Sequence, residues 1–214
     1  MDLRYSDSQQ AFRAEVRAWL SEHVPANSLP SFDTEEGFEA HRDWERTLAE
    51  GNWGMVTWPE AYGGRGCDLI EWLIFEEEYY RAGAPLRVNQ NGIFLLGPTL
   101  MEYGTEEQKA RFIPAMASGD EIWAQAWSEP NAGSDMAAIR CRATRDGDDY
   151  IINGQKIWST RGVCGLGLWF ISDRSRIRAT PRAIKNTCAS YSGGGDRAAH
   201  SSAKWPARLC RNFL

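Results

Sequence analysis

The chain has 214 residues, of which 43% are hydrophobic and 25% are charged, and its formal net charge is −5. This length allows one large domain or two small ones, and the apolar fraction excludes wholesale disorder. The mild acidity argues against a protein whose whole surface binds nucleic acid, and no apolar run approaches the roughly 20 residues of a membrane span. Five cysteines without C-x-x-C spacing and three histidines argue against a disulfide framework and a metal site, and favour a cytoplasmic setting.

The first 120 residues have the spacing of amphipathic helices. Ser6 and Gln9 are spaced as a capping box, and apolar residues then recur at helical intervals until Pro25. Four more helices are predicted further along the chain, over residues 37–49, 68–81 and 90–103 and from Thr105 onward. Asp68 is expected to cap the second of these four. The segment 52–68 is too rich in Gly, Pro and Trp for a helix.

Two details of these helices carry predictions of their own. Gly97-Pro98 is expected to bend the helix over 90–103, because proline removes a backbone donor. Glu76, Glu77 and Glu78 form an acidic run in the helix over 68–81. We interpret this run as a solvated helix face rather than as paired catalytic carboxylates.

The periodicity changes near Glu121. Ile122, Ala124 and Ala126 alternate with bulkier residues over 122–127, which predicts a strand. The segment 139–162 is then predicted as a β-meander with turns at Asp146-Gly147 and Asn153-Gly154. Helices followed by strands predict an α+β fold, in which an all-α N-terminal domain precedes the first strands of an incomplete β-domain.

The segment from Trp127 to Asp135 is the densest in chemical groups. Ser128 and Ser134 add hydroxyl donors, and Gly133 lets another group approach the main chain closely. Such a loop can offer several donors to a phosphate or to the edge of a heteroaromatic ring. From composition alone, an ordinary loop is the simpler interpretation.

A second candidate lies at the end of the meander, where Trp158 precedes the hydroxyls of Ser159 and Thr160. A tryptophan beside hydroxyls can flank a flat cofactor, with the indole packing on it and the threonine hydrogen-bonding to it. The same pattern fits a core tryptophan at a strand end, and spacing alone favours that simpler interpretation.

Four segments carry a resemblance to a known family. They are WPEAYGGRG (58–66), YGTEEQKARFIPAMASGD (103–120), AWSEPNAGSD (126–135) and YIINGQKIWSTRG (150–162). In this order they resemble the acyl-CoA dehydrogenase family of flavoproteins: a loop between early helices, the G-T-E-E-Q-K helix, the flavin-contacting T/S-E-P-x-A-G-S-D motif and the hairpin ending in W-x-T. Beyond Gly162 no resemblance is visible.

The resemblance implies FAD as cofactor and assigns six residues to it. The implied cofactor contacts are Gln125, Trp127, Ser128, Ser134, Trp158 and Thr160. Trp127 and Ser128 would contact the isoalloxazine through main-chain and hydroxyl groups. Trp158 would pack against the ring, and Thr160 would bond near its N5 edge. Ser134 would lie near the pyrophosphate and the acyl-CoA, which makes it the implied substrate contact.

Two of these positions differ from many family members. Ser128 stands where many members carry threonine, and it keeps the hydroxyl. Gln125 and Trp127 are bulkier than in many short-chain members, which suggests a subgroup that handles large or branched acyl groups.

The reaction implied by the resemblance is the α,β-dehydrogenation of an acyl-CoA thioester, in which a glutamate removes the α-proton while the β-hydride passes to the flavin. That glutamate belongs to the family's C-terminal helical bundle, which we expect this chain to lack, so no catalytic residue is assigned. Glu129 lies within a motif, but its implied role is structural. The implied partners are the acyl-CoA substrate, an electron-transfer flavoprotein and, when the protein is complete, a homo- or hetero-oligomer.

Charge and composition change abruptly where the resemblance ends. Residues 1–162 carry 27 acidic and 15 basic residues, a net charge of −12, whereas residues 163–214 carry 2 and 9, a net charge of +7. One hypothesis is that the chain from Val163 onward is out of frame or comes from a truncated gene. The alternatives are a basic arm that binds nucleic acid or anionic lipid, and an unselected disordered tail.

These observations predict three domains and leave three functions open. The domains are a helical N-terminal domain (1–120), the start of a middle β-domain with the flavin-contacting motifs (121–162) and a basic tail unlike the family (163–214). The first function is an FAD-dependent acyl-CoA dehydrogenase that is truncated and inactive alone. The second is a non-catalytic subunit that partners a full-length homologue. The third is an acyl-CoA oxidase, which shares the flavin chemistry.

Overall fold

The α+β class is confirmed by the computed structural model, which describes residues 4–146, 149–158, 166–172, 184–189 and 203–206. Within these residues five α-helices precede six strands. The chain divides into two units, Met1–Ile93 with Arg111–Asp120, and Phe94–Ala110 with Glu121–Leu214. Residues 94–110 thus belong to the same unit as the strands, whereas the predicted domain boundary at residue 120 places them in the helical domain.

Local capping signals decide where the first helices begin. The helices of the first unit are α1 (Asp7–His23), α2 (Glu35–Glu50) and α3 (Leu69–Arg81). The Ser6 hydroxyl accepts the amide of Gln9, whose side chain in turn accepts the Ser6 amide, so the predicted capping box is confirmed. Asp68 caps α3 as predicted. Thr34 caps α2, which therefore starts slightly earlier than the sequence indicates.

The apolar faces of these helices meet in one core. Its buried members are Val16, Leu20, Trp44, Leu48, Trp53, Val56, Phe75 and Tyr79. Trp53 and Phe75 stack with their centroids 5.8 Å apart. Trp44 Nε1 donates to the hydroxyl of Tyr79 at 2.6 Å, so the polar atoms of both buried rings are satisfied.

The helix predicted over 90–103 is confirmed in its bounds, and its winding changes within it. Residues Gly92–Leu96 wind as a π-helix, and α4 (Gly97–Tyr103) follows directly. Pro98 has no N–H for the carbonyl four residues earlier, so the winding changes just before it. The last helix is α5 (Glu106–Ala117). In the described part of the chain, no helix is both long and apolar enough to cross a membrane.

The strands of the second unit form two three-stranded sheets. They are β1 (Trp123–Ala126), β2 (Arg142–Asp146), β3 (Asp149–Asn153), β4 (Leu166–Ser172), β5 (Ile184–Ala189) and β6 (Ala203–Pro206). In the first sheet β4 lies between β1, to which it is parallel, and β5, to which it is antiparallel. In the second, β3 pairs antiparallel with both β2 and β6.

Three predictions about strands have different outcomes. The strand after Glu121 and the hairpin around Asp146-Gly147 are confirmed as β1 and as β2 with β3. The third strand of the meander is wrong for residues 154–158, which are irregular because the Ile157 amide bonds to a loop carbonyl instead of a hairpin partner. Three segments of the predicted tail form β4, β5 and β6, so these segments differ from the irregular chain that was expected.

Candidate functional site

The loop that follows β1 begins with a tight turn. The Glu129 amide donates to the Ala132 carbonyl at 2.7 Å, and the Ala132 amide donates back to the Glu129 carbonyl at 3.1 Å. Pro130 and Asn131 form the exposed tip of this turn. Proline fixes its own φ angle, and asparagine is common in turns because its side chain can bond to the nearby backbone. These two residues are therefore sufficient to explain the turn.

The Glu129 side chain turns inward and binds the chain that leads into β2. Its carboxylate accepts the amides of Arg140 at 2.7 Å and Cys141 at 2.8 Å, and the ammonium of Lys156 at 3.0 Å. Burial alone would raise the pKa of Glu129, but these two amides and the ammonium outweigh it and hold the pKa below its ordinary value. The carboxylate is therefore an ionised structural anchor.

Lys156 is the partner that completes this anchor. Its side chain is 2% exposed, and Nζ donates to Glu129 and to the Trp127 carbonyl at 2.9 Å. The amide of the next residue, Ile157, donates to the Ser128 carbonyl at 2.9 Å. Residues 156–157 are thus bonded directly to residues 127–129.

A close backbone approach holds the other end of this segment. A Cβ at Gly154 would lie 2.6 Å from Sγ and 2.7 Å from Cα of Cys141, so only glycine fits there. Cys141 is buried, and burial raises the pKa of its thiol. We call residues 154–158 the anchored segment, since it is held at Gly154, Lys156 and Ile157.

Trp158 ends the anchored segment in an unusual state. Its φ is +56°, in the left-handed region that bulky side chains avoid, and its side chain is 83% exposed. A core tryptophan would be covered, so the simpler interpretation of this residue is wrong for the described chain. An exposed indole can pack on a flat heteroaromatic ring, so Trp158 fits a flavin.

The structure brings some of the predicted site residues together. Trp127 and Ser128 are half-buried and bonded through their carbonyls to the anchored segment that carries Trp158. Ser134 is exposed in the same loop, past the Glu129 turn. Gln125 lies half-buried in β1, opposite Leu168 of β4. Thr160 lies outside the described residues.

Sequence reasoning missed Lys156 and the amides of Arg140 and Cys141. Lys156 lies between Gln155 and Ile157 in a segment predicted as a strand, and nothing in this local sequence indicates that its side chain is buried. In the described residues, no group of three or more His, Cys, Asp or Glu side chains is placed to hold a metal ion.

A second charged cluster lies in the helical unit. The Glu78 carboxylate is 2% exposed and accepts Arg17 and Arg81 at 2.6 Å each and Arg13 at 3.1 Å. The predicted solvated face is therefore wrong for Glu78. Burial would raise its pKa, but Arg17 and Arg81 hold that pKa below its ordinary value. Arg17, Glu78 and Arg81 also line a groove of about 470 Å³.

Comparison with known proteins gives a family match along most of the chain. The family profile "Acyl-CoA dehydrogenase, N-terminal domain" matches residues 6–120, and "Acyl-CoA dehydrogenase, middle domain" matches residues 124–184. The second match runs past Gly162, so the resemblance continues into the segment that was predicted to be unlike the family.

Individual relatives agree with these profiles. The chain is 42% identical over 166 residues to acyl-CoA dehydrogenase IpdE1 of Mycobacterium tuberculosis, which covers 75% of this chain and 43% of that protein. The ChsE4-ChsE5 complex from Mycobacterium tuberculosis aligns with a TM-score of 0.70 and 32% identity, covering 88% of this chain and 48% of that one. The "Tcur3481-Tcur3483 steroid ACAD" aligns with a TM-score of 0.66 and 29% identity, covering 97% and 50%. The chain thus spans about half the length of these relatives, or less.

Proposed function

The chain belongs to the acyl-CoA dehydrogenase family, and from this premise we propose that it supplies part of the FAD-binding surface of an enzyme that dehydrogenates acyl-CoA thioesters. The family uses FAD. The observation that carries the proposal is Trp158, an exposed indole in a strained backbone conformation, which directly follows the residue whose amide bonds to the Ser128 carbonyl. Strain of this kind persists where surrounding bonds enforce it, and it is concentrated at functional sites.

We assign the roles as follows. Trp127 through its main chain and Ser128 through its hydroxyl bind the isoalloxazine, and Trp158 packs on the ring. Thr160 bonds near the N5 edge, and Gln125 flanks the ring from β1. A serine hydroxyl donates to a ring acceptor as a threonine hydroxyl does, so Ser128 preserves the contact.

Ser134 is proposed to contact both the FAD pyrophosphate and the acyl-CoA. It lies exposed in a loop whose start is fixed by the Glu129–Ala132 turn and by the buried Glu129 carboxylate. A hydroxyl on a fixed loop orients an anionic group without the entropy cost of ordering a free loop.

Bound FAD supplies a hydride acceptor for the β-carbon of the substrate. We propose that the glutamate that takes the α-proton lies in sequence outside this chain, because the chain spans 43% of IpdE1. The 214 residues alone are then expected to show no dehydrogenase activity. Electron-transfer flavoprotein is the proposed acceptor of the electrons, and the cytoplasm stays the predicted location.

The relatives support a bulky substrate. One solved structure that this chain resembles is a protein described as a steroid ACAD. Gln125 and Trp127 are the residues that suggested a large or branched acyl group. We propose an acyl-CoA with a large or branched acyl group as the substrate class.

A second candidate function is a subunit that completes a partner's site. The observation that favours it is that another structure similar to this chain is a complex, formed by ChsE4 with ChsE5. Under this proposal the chain contributes its FAD-contacting residues to a site shared with a full-length homologue.

FAD retention tests the proposal. We would purify the chain alone and co-expressed with the part of IpdE1 that lies outside its match to this chain, and measure bound flavin by absorbance. We expect FAD in the co-expressed complex, and binding weakened on the order of tenfold by Trp158→Ala because an aromatic contact is lost. Tyr103→Ala removes another exposed ring of the same unit and is the matched control. The assignment would be overturned if the complex bound no flavin, or if Trp158→Ala left its flavin affinity unchanged.

A different result of the same experiment would favour the second candidate function. Flavin and turnover that appear only after mixing with a full-length homologue, and not with the IpdE1 fragment, would favour the subunit. Turnover by the complex with the IpdE1 fragment would favour the first candidate, the acyl-CoA dehydrogenase.

A further inference from the structure

The anchored segment ends in a conformation that its last side chain disfavours. A tryptophan at φ +56° costs free energy, and an exposed indole recovers little of it through packing. Among the residues that the structure describes, those that can impose this conformation through their bonds precede Trp158. These are the Lys156 and Ile157 bonds to residues 127–129 and the Gly154 contact with Cys141.

Of these bonds, those of Lys156 connect the largest number of segments. Its ammonium bridges the Trp127 carbonyl and the Glu129 carboxylate, and both charged side chains are buried. Glu129 in turn holds the amides of Arg140 and Cys141. One charged pair thus fixes both the loop after β1 and the start of β2.

We propose that Lys156 and Glu129 act as a positioning pair that sets where the Trp158 ring stands relative to Ser128. This role rests on the proposed FAD surface. Neither side chain touches the flavin in this proposal. They act through the backbone, by fixing the path of residues 154–158 against residues 127–129.

The pair is suited to this task by its burial. A buried ammonium needs its acceptors at defined positions, because an unpaired buried charge is strongly unfavourable. A surface pair would tolerate several geometries and would leave Trp158 loosely placed. The Lys109–Glu106 pair of α5 is an example of the looser kind, since the Glu106 side chain is 89% exposed.

Hydrogen exchange tests the positioning pair without flavin. We would compare the full chain with Lys156→Met, which keeps the length of the side chain and removes its charge, and with Lys156→Arg, which keeps the charge. Lys109→Met makes the same chemical change at a pair whose carboxylate is exposed, and it is the matched control. We expect Lys156→Met to lose protection of the Ile157 amide, Lys156→Arg to keep part of it, and Lys109→Met to keep it all. Unchanged protection in Lys156→Met would overturn the proposal.

Flavin binding tests the consequence. In the complex with the IpdE1 fragment, Lys156→Met should weaken FAD binding by about 10- to 100-fold, the range that the loss of an orienting outer partner costs at metal sites. The flavin that remains bound should be less quenched, because its ring no longer stacks on Trp158. Lys156→Arg should restore much of both, and far-UV circular dichroism separates these effects from unfolding.

The two proposals fail in different ways. If Trp158→Ala weakens FAD binding and Lys156→Met leaves both affinity and quenching unchanged, the positioning role is overturned and the FAD surface stands. If the wild-type complex binds no FAD, the proposed function fails, and the positioning role for flavin fails with it. This holds whatever hydrogen-exchange rate is measured for the Ile157 amide.

Discussion

Each unit of the chain contains a buried glutamate that joins distant segments, but the two are bound differently. Glu78 of the helical unit is held by three arginine side chains, two of which are more than half exposed. Glu129 of the other unit is held by two main-chain amides and one buried ammonium. Arginine side chains can swing into water when their partner changes, whereas amides cannot move without the chain. Glu78 therefore joins helices, and Glu129 defines a backbone shape.

The largest expected effect tests the backbone side of this comparison. Glu129→Gln leaves Lys156 buried without its counter-ion and turns an N–H₂ toward an amide donor. We expect a loss of about 3 to 5 kcal/mol in the free energy of unfolding of this unit. Urea titration with amide exchange over residues 127–158 would measure it. A loss below that of Glu78→Gln would contradict the comparison.

Glu78→Gln is expected to cost less, about 2 kcal/mol. The neutral amide still accepts from one arginine, and Arg17 and Arg81 regain water on their exposed sides. Urea titration followed by far-UV circular dichroism reports on the helices. Equal losses for both Gln variants would show that the kind of partner does not matter.

Glu78 and Glu129 should both contribute to the pH dependence of the free energy of unfolding. Each contribution should be smaller than the losses expected for the two Gln variants. Both carboxyls have pKa values below the ordinary 4.5 in the folded chain. As the pH falls below that value, the unfolded chain takes up protons before the folded one does, so stability decreases until the folded pKa values are passed. The free energy of unfolding would be measured between about pH 6 and about pH 2.5. In each Gln variant it should decrease less over this range than in the wild type. An unchanged decrease in both variants would contradict this origin.

The smallest effect is expected for Arg81→Met. The Arg81 side chain is 57% exposed, and Glu78 keeps Arg13 and Arg17. Half-exposed ion pairs contribute little, so we expect a loss below about 1 kcal/mol. A thermal unfolding midpoint clearly lower than that of Glu78→Gln would show that Arg81, and not the carboxylate, is the centre of the cluster.

The parts of the fold that the sequence predicted depend on neighbouring residues. Ser6 with Gln9 and the cap at Asp68 act over three residues, and the Asp146-Gly147 hairpin acts across its own turn. Such signals are visible in a short window of sequence. The missed features join residues far apart in the chain, such as Glu129 with Lys156 and Glu78 with Arg13.

The third strand shows why a local pattern failed. The residues after Gly154 are predicted as a strand because they follow the Asn153-Gly154 turn, yet the Ile157 amide bonds to the carbonyl of Ser128, which lies far earlier in the chain. The site residues came from a resemblance between motifs rather than from spacing. The structure adds the bonds that link Trp127, Ser128 and the segment of Trp158, and the flavin contacts of all six residues stay predictions.

The contact between Gly154 and Cys141 has a practical consequence for motion. The Cys141 thiol is fully covered and its pKa is raised, so it meets an alkylating reagent only while the chain over it has lifted. The rate at which Cys141 is alkylated in the native protein therefore measures local opening. Mass spectrometry of the peptide that contains Cys141 would report how often this part of the chain opens.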